Sequence, residues 1–292
     1  MKVVFELPFF ESGCAAALGT FDGVHLGHRQ VISAVTDCGY VPVVVMILQG
    51  DRKKRIFSDE LNIKYIERLG VDTVVCLSLD DIRDMSAESY ISMLYERMNI
   101  KRFACGCDHR FGKNADGSSS LIADFANEHG VEFISVGEVK IDGVPVSSTA
   151  VRSLIANGDM PSARKMLGHD YELDFEVVHG DARGRKMGFP TVNQVYPDGF
   201  VLPKFGVYAS SVTVGEKRMA AVTNVGVRPT FLTDRPLAET HIIGYSGDLY
   251  GKKPSVSLNE FLREEHRFNS LEELCAAIDA DKNRSIKVFE KT

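Results

Sequence analysis

The sequence predicts a doubly wound α/β domain followed by a small antiparallel β-barrel that closes with a helix. Three observations carry this. The chain has 292 residues, about two domains' worth at ~100–200 residues per domain. Its first half alternates continuous apolar runs of strand length with stretches of helical apolar spacing. Its second half, after Arg164–Asp170, alternates apolar and polar residues singly, and seven of the ten prolines lie from Pro161 onward.

The elements follow in order. Apolar runs at Ala15–Leu18, Val41–Leu48, Thr73–Leu77, Phe103–Cys107 and Glu132–Val136 are predicted strands. Between them, Leu61, Tyr65, Ile66 and Leu69 recur at three- and four-residue steps within Ser58–Leu69. Ile91, Leu94, Tyr95 and Met98 do the same, as do Leu121, Ile122 and Phe125. Fully apolar strands alternating with amphipathic helices predict a parallel sheet covered on both faces. Such sheets bind ligands beyond the carboxyl ends of their strands. In the second half, Leu173, Phe175 and Val177 alternate with Asp174 and Glu176, and Gly206–Val214 and Arg218–Val225 flank a Gly215-Glu216-Lys217 turn. Thr240–Gly244 and Ser255–Phe261 are further strands. A capping box, Ser270-x-x-Glu273, opens a helix carrying Leu274, Ala277 and Ile278. The expected domains are residues 1–167 and 168–292.

Hydrophobic residues make up 44% and charged residues 25%, which excludes a disordered or fibrous chain. The longest apolar run, Val41–Leu48, is short of the ~20 residues of a membrane helix. MKVVFELPFFESG, with Glu6 and Glu11, is not a secretory signal, so no membrane association and a cytoplasmic setting are expected. Net charge is −6; the first 167 residues carry 18 basic and 22 acidic side chains and the remainder 16 and 18. Neither half has the basic surface that nucleic-acid binding needs. Six scattered cysteines read as reduced thiols. Cys105-x-Cys107 before Asp108-His109 is compatible with a metal, but without a second ligand pair we expect two buried strand thiols.

Chemistry concentrates in two places. Gly19-Thr20-Phe21-Asp22-Gly23-Val24-His25-Leu26-Gly27-His28 joins the first strand to a helix. Its glycines let backbone approach a ligand, and a helix N-terminus attracts anions. Two imidazoles three residues apart there suit a phosphate that gains charge in a transition state, although a turn with incidental histidines has the same outline. In Val146-Ser147-Ser148-Thr149-Ala150-Val151-Arg152, Ser148 or Thr149 is placed to cap a helix and Arg152 to reach a phosphate, or simply to lie in solvent. The second stretch, His179 to Asn193, has glycines at 180, 184 and 188 and is not a Walker A loop. It reads either as a phosphate-binding loop or as a basic surface loop. Thr191 and Asn193 offer the hard oxygens that suit Mg²⁺.

These motifs resemble those of the prokaryotic bifunctional riboflavin kinase/FMN adenylyltransferase (FAD synthetase) family. GTFDGVHLGH, CGCDHRFGKNADG and VSSTAVR resemble its adenylyltransferase module, a Rossmann-like nucleotidyltransferase fold, which joins FMN to the AMP part of ATP and releases pyrophosphate. The resemblance implies that His25 and His28 stabilise the transition state. It implies that Ser148, Thr149 and Arg152 complete the phosphate site, with Gly19, Phe21, Asp22, Gly23 and Gly27 as further cofactor-binding positions. Asp108, Phe111 and Gly112 match its D-x-R-F-G segment, which implies flavin or nucleotide contacts, against a turn with a core aromatic. The run from Gly180 to Asn193 resembles the riboflavin kinase signature ending in P-T-A-N, with Val192 in place of Ala. This implies nucleotide contacts at Gly180, Gly184, Arg185, Gly188, Pro190, Thr191 and Asn193, and Mg²⁺ at Thr191 and Asn193. Ala238-Glu239-Thr240-His241-Ile242 resembles the family's E-x-H strand, which makes Glu239 the catalytic base and His241 a strand residue. Phe205–Tyr208, Asn224–Thr230, Gly247–Gly251 and Phe268–Leu271 extend the likeness over nearly the whole chain.

One segment departs. Where the family carries Phe-x-Pro-His-Pro, this chain has Met46–Asp51 and then Arg52-Lys53-Lys54-Arg55, a solvated basic loop or a phosphate-neutralising one. The expected function is phosphorylation of riboflavin to FMN and adenylylation of FMN to FAD, with ATP as co-substrate and Mg²⁺ in both steps. The alternative is a riboflavin kinase with an impaired or flavin-sensing first domain.

Overall fold

The computed structural model describes residues 1–48, 50, 54–180, 189–227 and 235–291. It divides into two compact units, Met1–Ser148 and Thr149–Thr292.

In the first unit, strands β1 (Lys2–Val4), β2 (Cys14–Gly19), β3 (Val41–Leu48), β4 (Thr73–Ser78), β5 (Ile100–Gly106) and β8 (Glu132–Val136) form one sheet in the order β1-β4-β3-β2-β5-β8. Every pairing in it is parallel. Helices α1 (Leu26–Thr36), α2 (Asp59–Glu67), α3 (Leu79–Ile82), α4 (Ala87–Met98) and α5 (Ser119–His129) provide the crossovers. Two-residue strands β6 (Arg110–Phe111) with β7 (Gly117–Ser118), and β9 (Lys140–Ile141) with β10 (Val144–Pro145), make small hairpins. The central apolar runs are buried because helices cover both faces: Ala15–Leu18 and Val43–Met46 are in the core, whereas Glu132–Val136 forms an edge strand with no fully buried residue. Tyr90, Ile91, Leu94 and Met98 present the apolar stripe of α4 to that core. Ser58 and Ser86 cap α2 and α4, each accepting a backbone N–H from three residues on.

Cys105 is buried in β5, but the strand ends at Gly106 and Cys107 is exposed, which corrects the expectation of two buried thiols. Among the described residues no group of three or more His, Cys, Asp or Glu is placed to hold a metal. Burial pushes the thiols of Cys14 and Cys105 up to about 12 and that of Cys76 up to about 11, so they are unreactive near neutrality. Iodoacetamide at pH 7.5 or so should therefore modify Cys107 in the native protein and reach Cys14, Cys76 and Cys105 only on unfolding. Peptide mass spectrometry reads this, and equal native labelling of Cys105 and Cys107 would contradict it.

The second unit begins with helices α6 (Ser148–Ala156, after its first residue) and α7 (Met160–Leu167). The buried face of α7, Met160, Ala163 and Leu167, packs on β11 (Tyr171–Leu173) and β17 (Ser255–Arg263). That packing draws α7 to the second unit, and the division falls after the first residue of α6, upstream of the expected junction at 167/168. The strands β12 (Val177–Val178), β13 (Val192–Val195), β14 (Gly206–Val214), β15 (Lys217–Val227) and β16 (Pro236–Ile242) complete an antiparallel half-barrel in the order β11-β17-β14-β15-β16-β13-β12. Its hairpin turn is Gly215-Glu216, with Lys217 already in β15. Helix α8 (Leu271–Phe289) covers β14 and β15. Its capping box forms: Ser270 Oγ accepts from Glu273 N–H (3.1 Å), and the Glu273 carboxylate accepts from Asn269 N–H (3.0 Å). Buried Asp281 on α8 holds Arg263 through a 2.8 Å ion pair. No helix among the described residues is long and apolar enough to cross a membrane.

Candidate active sites

In the first unit, β3 and β4 lie on one side of β2, and β5 and β8 on the other. The strand order therefore reverses beside β2, and the crevice of an α/β sheet opens at such a point, beyond the carboxyl ends. The Gly19–His28 loop leaves β2 there. Asp108 follows β5 at the same edge and is exposed.

His25 is the N-cap of α1, its Nδ1 accepting from the His28 backbone N–H (3.2 Å). With Nδ1 an acceptor, the neutral imidazole carries its proton on Nε2, which is thus a donor. The two imidazoles stack with centroids 3.6 Å apart and planes 13° from parallel. Gly27 permits the stack, because a Cβ there would lie 3.2 Å from His25 Cε1. Phe21 is buried and tilts against the His28 ring at 5.3 Å. The Asp22 carboxylate accepts from the N–H groups of Ile56 (2.9 Å) and Phe57 (3.3 Å), and Gly23 N–H donates to Asn62 Oδ1 (2.9 Å). Ser148 does not cap its helix from outside. It is the first helical residue, and its hydroxyl donates to the Asp22 carbonyl (3.0 Å). Thr149 and Arg152 follow on α6 and belong to the second unit.

Beyond β5, Phe111 is half-buried, tilts against Tyr90 (5.7 Å) and stacks with His109 (5.5 Å), so part of its role is packing. Burial pushes the His109 imidazole down to about 4, and it is uncharged at neutral pH. Of the basic run, Arg52 and Lys53 lie outside the described residues, as do Gln49 and Asp51. Lys54 is exposed, and Arg55 pairs with Asp59 at 3.6 Å.

In the second unit the sheet register aligns residues far apart in sequence. Asn193 on β13 is directly opposite Glu239 on β16, and Glu239 is directly opposite Asn224 on β15. Directly paired residues project to the same face, with strands ~4.8 Å apart. Amide, carboxylate and amide thus form one row. The opposite face holds buried hydroxyls, Ser210 to Thr223 (2.7 Å) to Thr240 (2.9 Å), which tie β14, β15 and β16 together behind it. Glu239 is in mid-strand and half-buried.

Thr191 sits two residues before Asn193, at the mouth of β13. His241 Nδ1 donates to the Pro190 carbonyl (2.9 Å) and so tethers the end of the glycine-rich loop. Gly180, just after β12, must be glycine because a Cβ would collide with the Asn193 side-chain amide. Gly184, Arg185 and Gly188 lie outside the described residues.

The riboflavin kinase family model matches residues 167–289 and the FAD synthetase model residues 8–150. The bifunctional riboflavin kinase/FMN adenylyltransferase of Escherichia coli K12 is 35% identical over 97% of this chain and 95% of its own length. The chain belongs to the bifunctional riboflavin kinase/FMN adenylyltransferase family. The enzyme of the same name from Pseudomonas fluorescens is 32% identical over 92% of this chain and 91% of its own, and that of Bacillus subtilis 29% over 94% and 92%. A crystal structure of a macrolide-efflux protein from Streptococcus pneumoniae superposes with a TM-score of 0.84 at 26% identity, covering 94% of each chain. That likeness bears on the fold; the two domain models bear on the activities. The FAD synthetase match also runs through the departing Met46–Asp51 segment.

The family uses Mg²⁺ with ATP, and the donor set fits it. The Oδ1 of Asn193 is buried and has no hydrogen-bond partner among the described residues. A carbonyl oxygen in that state, two residues after the Thr191 hydroxyl in the sequence, suits a hard cation that completes its shell with phosphate and water. Sequence reasoning missed Asn224 as a site residue. Its Oδ1 is likewise buried and unpartnered among the described residues, and its Nδ2 donates to the Glu265 carboxylate (2.6 Å). It also missed Asn62. The one available signal was a polar residue among Leu61, Tyr65 and Ile66 on the apolar face of α2, where a buried amide needs a partner.

Proposed function

We propose that the second unit phosphorylates riboflavin and the first adenylylates the resulting FMN. The register that sets Asn193 beside Glu239 is the observation that carries this reading. Riboflavin's 5′-hydroxyl loses its proton to the Glu239 carboxylate as its oxygen attacks the γ-phosphorus of ATP, and ADP leaves. Thr191 and Asn193 hold Mg²⁺, which when bound neutralises the phosphate oxygens. Gly180 and Pro190, with Gly184, Arg185 and Gly188 of the sequence between them, are the nucleotide contacts. In the first unit an FMN phosphate oxygen attacks the α-phosphorus of ATP and pyrophosphate leaves. The nucleophile is already an anion, so positioning and charge stabilisation suffice. The His25 Nε2–H and the His28 ring supply donors, with Ser148 as a further phosphate contact and Asp108 at the crevice edge.

Functionally, we divide the chain at 167/168, a division supported by the kinase match beginning at residue 167. The partners we assign are flavins and ATP, without nucleic acid, in keeping with two acidic halves. Six free cysteines support a cytoplasmic setting.

The test is incubation of the whole protein with riboflavin, ATP and Mg²⁺, with chromatographic separation of the flavins. FMN should appear first and FAD after it. FMN without FAD at long times removes the second activity, and the absence of FMN removes the first.

A further inference from the structure

The turn between β2 and α1 is unusual in its backbone. Phe21 has φ 50° and Val24 has φ 40°, with Gly23 at 86° between them. Left-handed backbone at an aromatic and at a β-branched residue is rare and strained, and persists only where the surroundings over-determine it. His25 follows directly, so the direction in which the cap and the stacked imidazoles leave the sheet depends on this turn.

Three contacts fix it from outside. Ser148 holds the Asp22 carbonyl, and Asp22 reaches across to the backbone of Ile56 and Phe57. The third is the Asn62 amide, which accepts the Gly23 N–H at 2.9 Å. Gly23 lies between the two strained residues, and Asn62 is 2% exposed, held on a capped helix among Leu61, Tyr65 and Ile66. A buried amide oxygen on a rigid helix is a fixed post for the middle of the turn.

We propose that Asn62 is a positioning residue for adenylyl transfer: it holds Gly23, and through Gly23 the strained turn that aims His25 and His28. This rests on the reading of the two histidines as the transition-state donors. A misplacement of about 1 Å in such donors is enough to lower a rate on the order of a hundredfold.

The experiment compares Asn62→Leu, Asn62→Asp and His28→Ala in the full chain, measuring kcat and KM for FMN adenylylation, riboflavin kinase activity, and thermal unfolding. Asn62→Leu removes the acceptor. It should lower the adenylylation kcat by about 10–100-fold, with KM for FMN and ATP within about twofold and kinase activity unchanged. Asn62→Asp keeps an oxygen in place and should restore most of the loss. The ring C–H signals of His25 and His28 in proton NMR should move from their stacked positions in Asn62→Leu and return in Asn62→Asp. An Asn62→Leu protein that folds and keeps its adenylylation kcat overturns the proposal, as does one whose loss is wholly in KM. If Asn62→Leu does not fold, Asn62→Ala is read by the same measurements. His28→Ala separates the two failures: if it leaves FAD synthesis intact, the reading of the histidines is wrong, whereas its loss beside an unaffected Asn62→Leu refutes only the role of Asn62.

Discussion

Glu239→Gln should lower riboflavin phosphorylation by roughly two to four orders of magnitude, the usual contribution of a positioned general base. Glutamine keeps the size and shape of the side chain but exchanges one acceptor oxygen for an NH₂ donor and loses the negative charge, so it cannot take a proton. Glu239 is half-buried in mid-strand, flanked by Asn193 and Asn224, and the hydroxyl ladder behind it is untouched by the change. The sheet should therefore remain intact, and KM for riboflavin should move far less than kcat. FAD formation from added FMN should persist. Chromatography of the flavins from riboflavin and from FMN, run in parallel, checks both halves. A folded variant that still makes FMN at the parent rate would remove Glu239 as the base.

His28→Ala is expected to do the converse. Loss of one preorganised donor at a transition state costs about 10²–10³ in rate. His28 is the better of the pair to remove, because His25 is also the N-cap of α1 and its loss would cost about 1 kcal/mol of stability as well. FAD formation from FMN should fall by about that factor, while riboflavin phosphorylation in the second unit continues. Simultaneous loss of both activities in a folded His28→Ala protein would refute two separate sites.

The long, continuous apolar strands of the first unit were legible because burial on both faces leaves no polar interruption. The three-residue edge strand Lys2–Val4 was not, since so short a segment has no period to read and takes its place by pairing with β4. The exposure of Cys107 is not legible because composition does not say where a strand stops; here it stops at Gly106, and the next residue is exposed. Ser148 and Thr149 looked like outside caps, yet the helix begins at Ser148 and uses that hydroxyl against the Asp22 carbonyl. Motifs pointed to Asn193 and Glu239 separately. That they are direct neighbours is a matter of strand register, which one sequence read alone does not contain, and the same holds for Asn224.

The row Asn193–Glu239–Asn224 has a consequence for how the protein comes to life. Its members come from three different strands: Asn224 and Glu239 are on consecutive strands, but Asn193 lies 31 residues from Asn224 and 46 from Glu239. Contacts of such separation form slowly, after hairpins and helices have condensed. Pairing is also all-or-nothing at each step, since a slip of one residue turns Glu239 to the opposite face, among the buried hydroxyls. Recovery of phosphorylating activity during refolding therefore lags the return of secondary structure and reports the moment at which β13, β16 and β15 lock into native alignment.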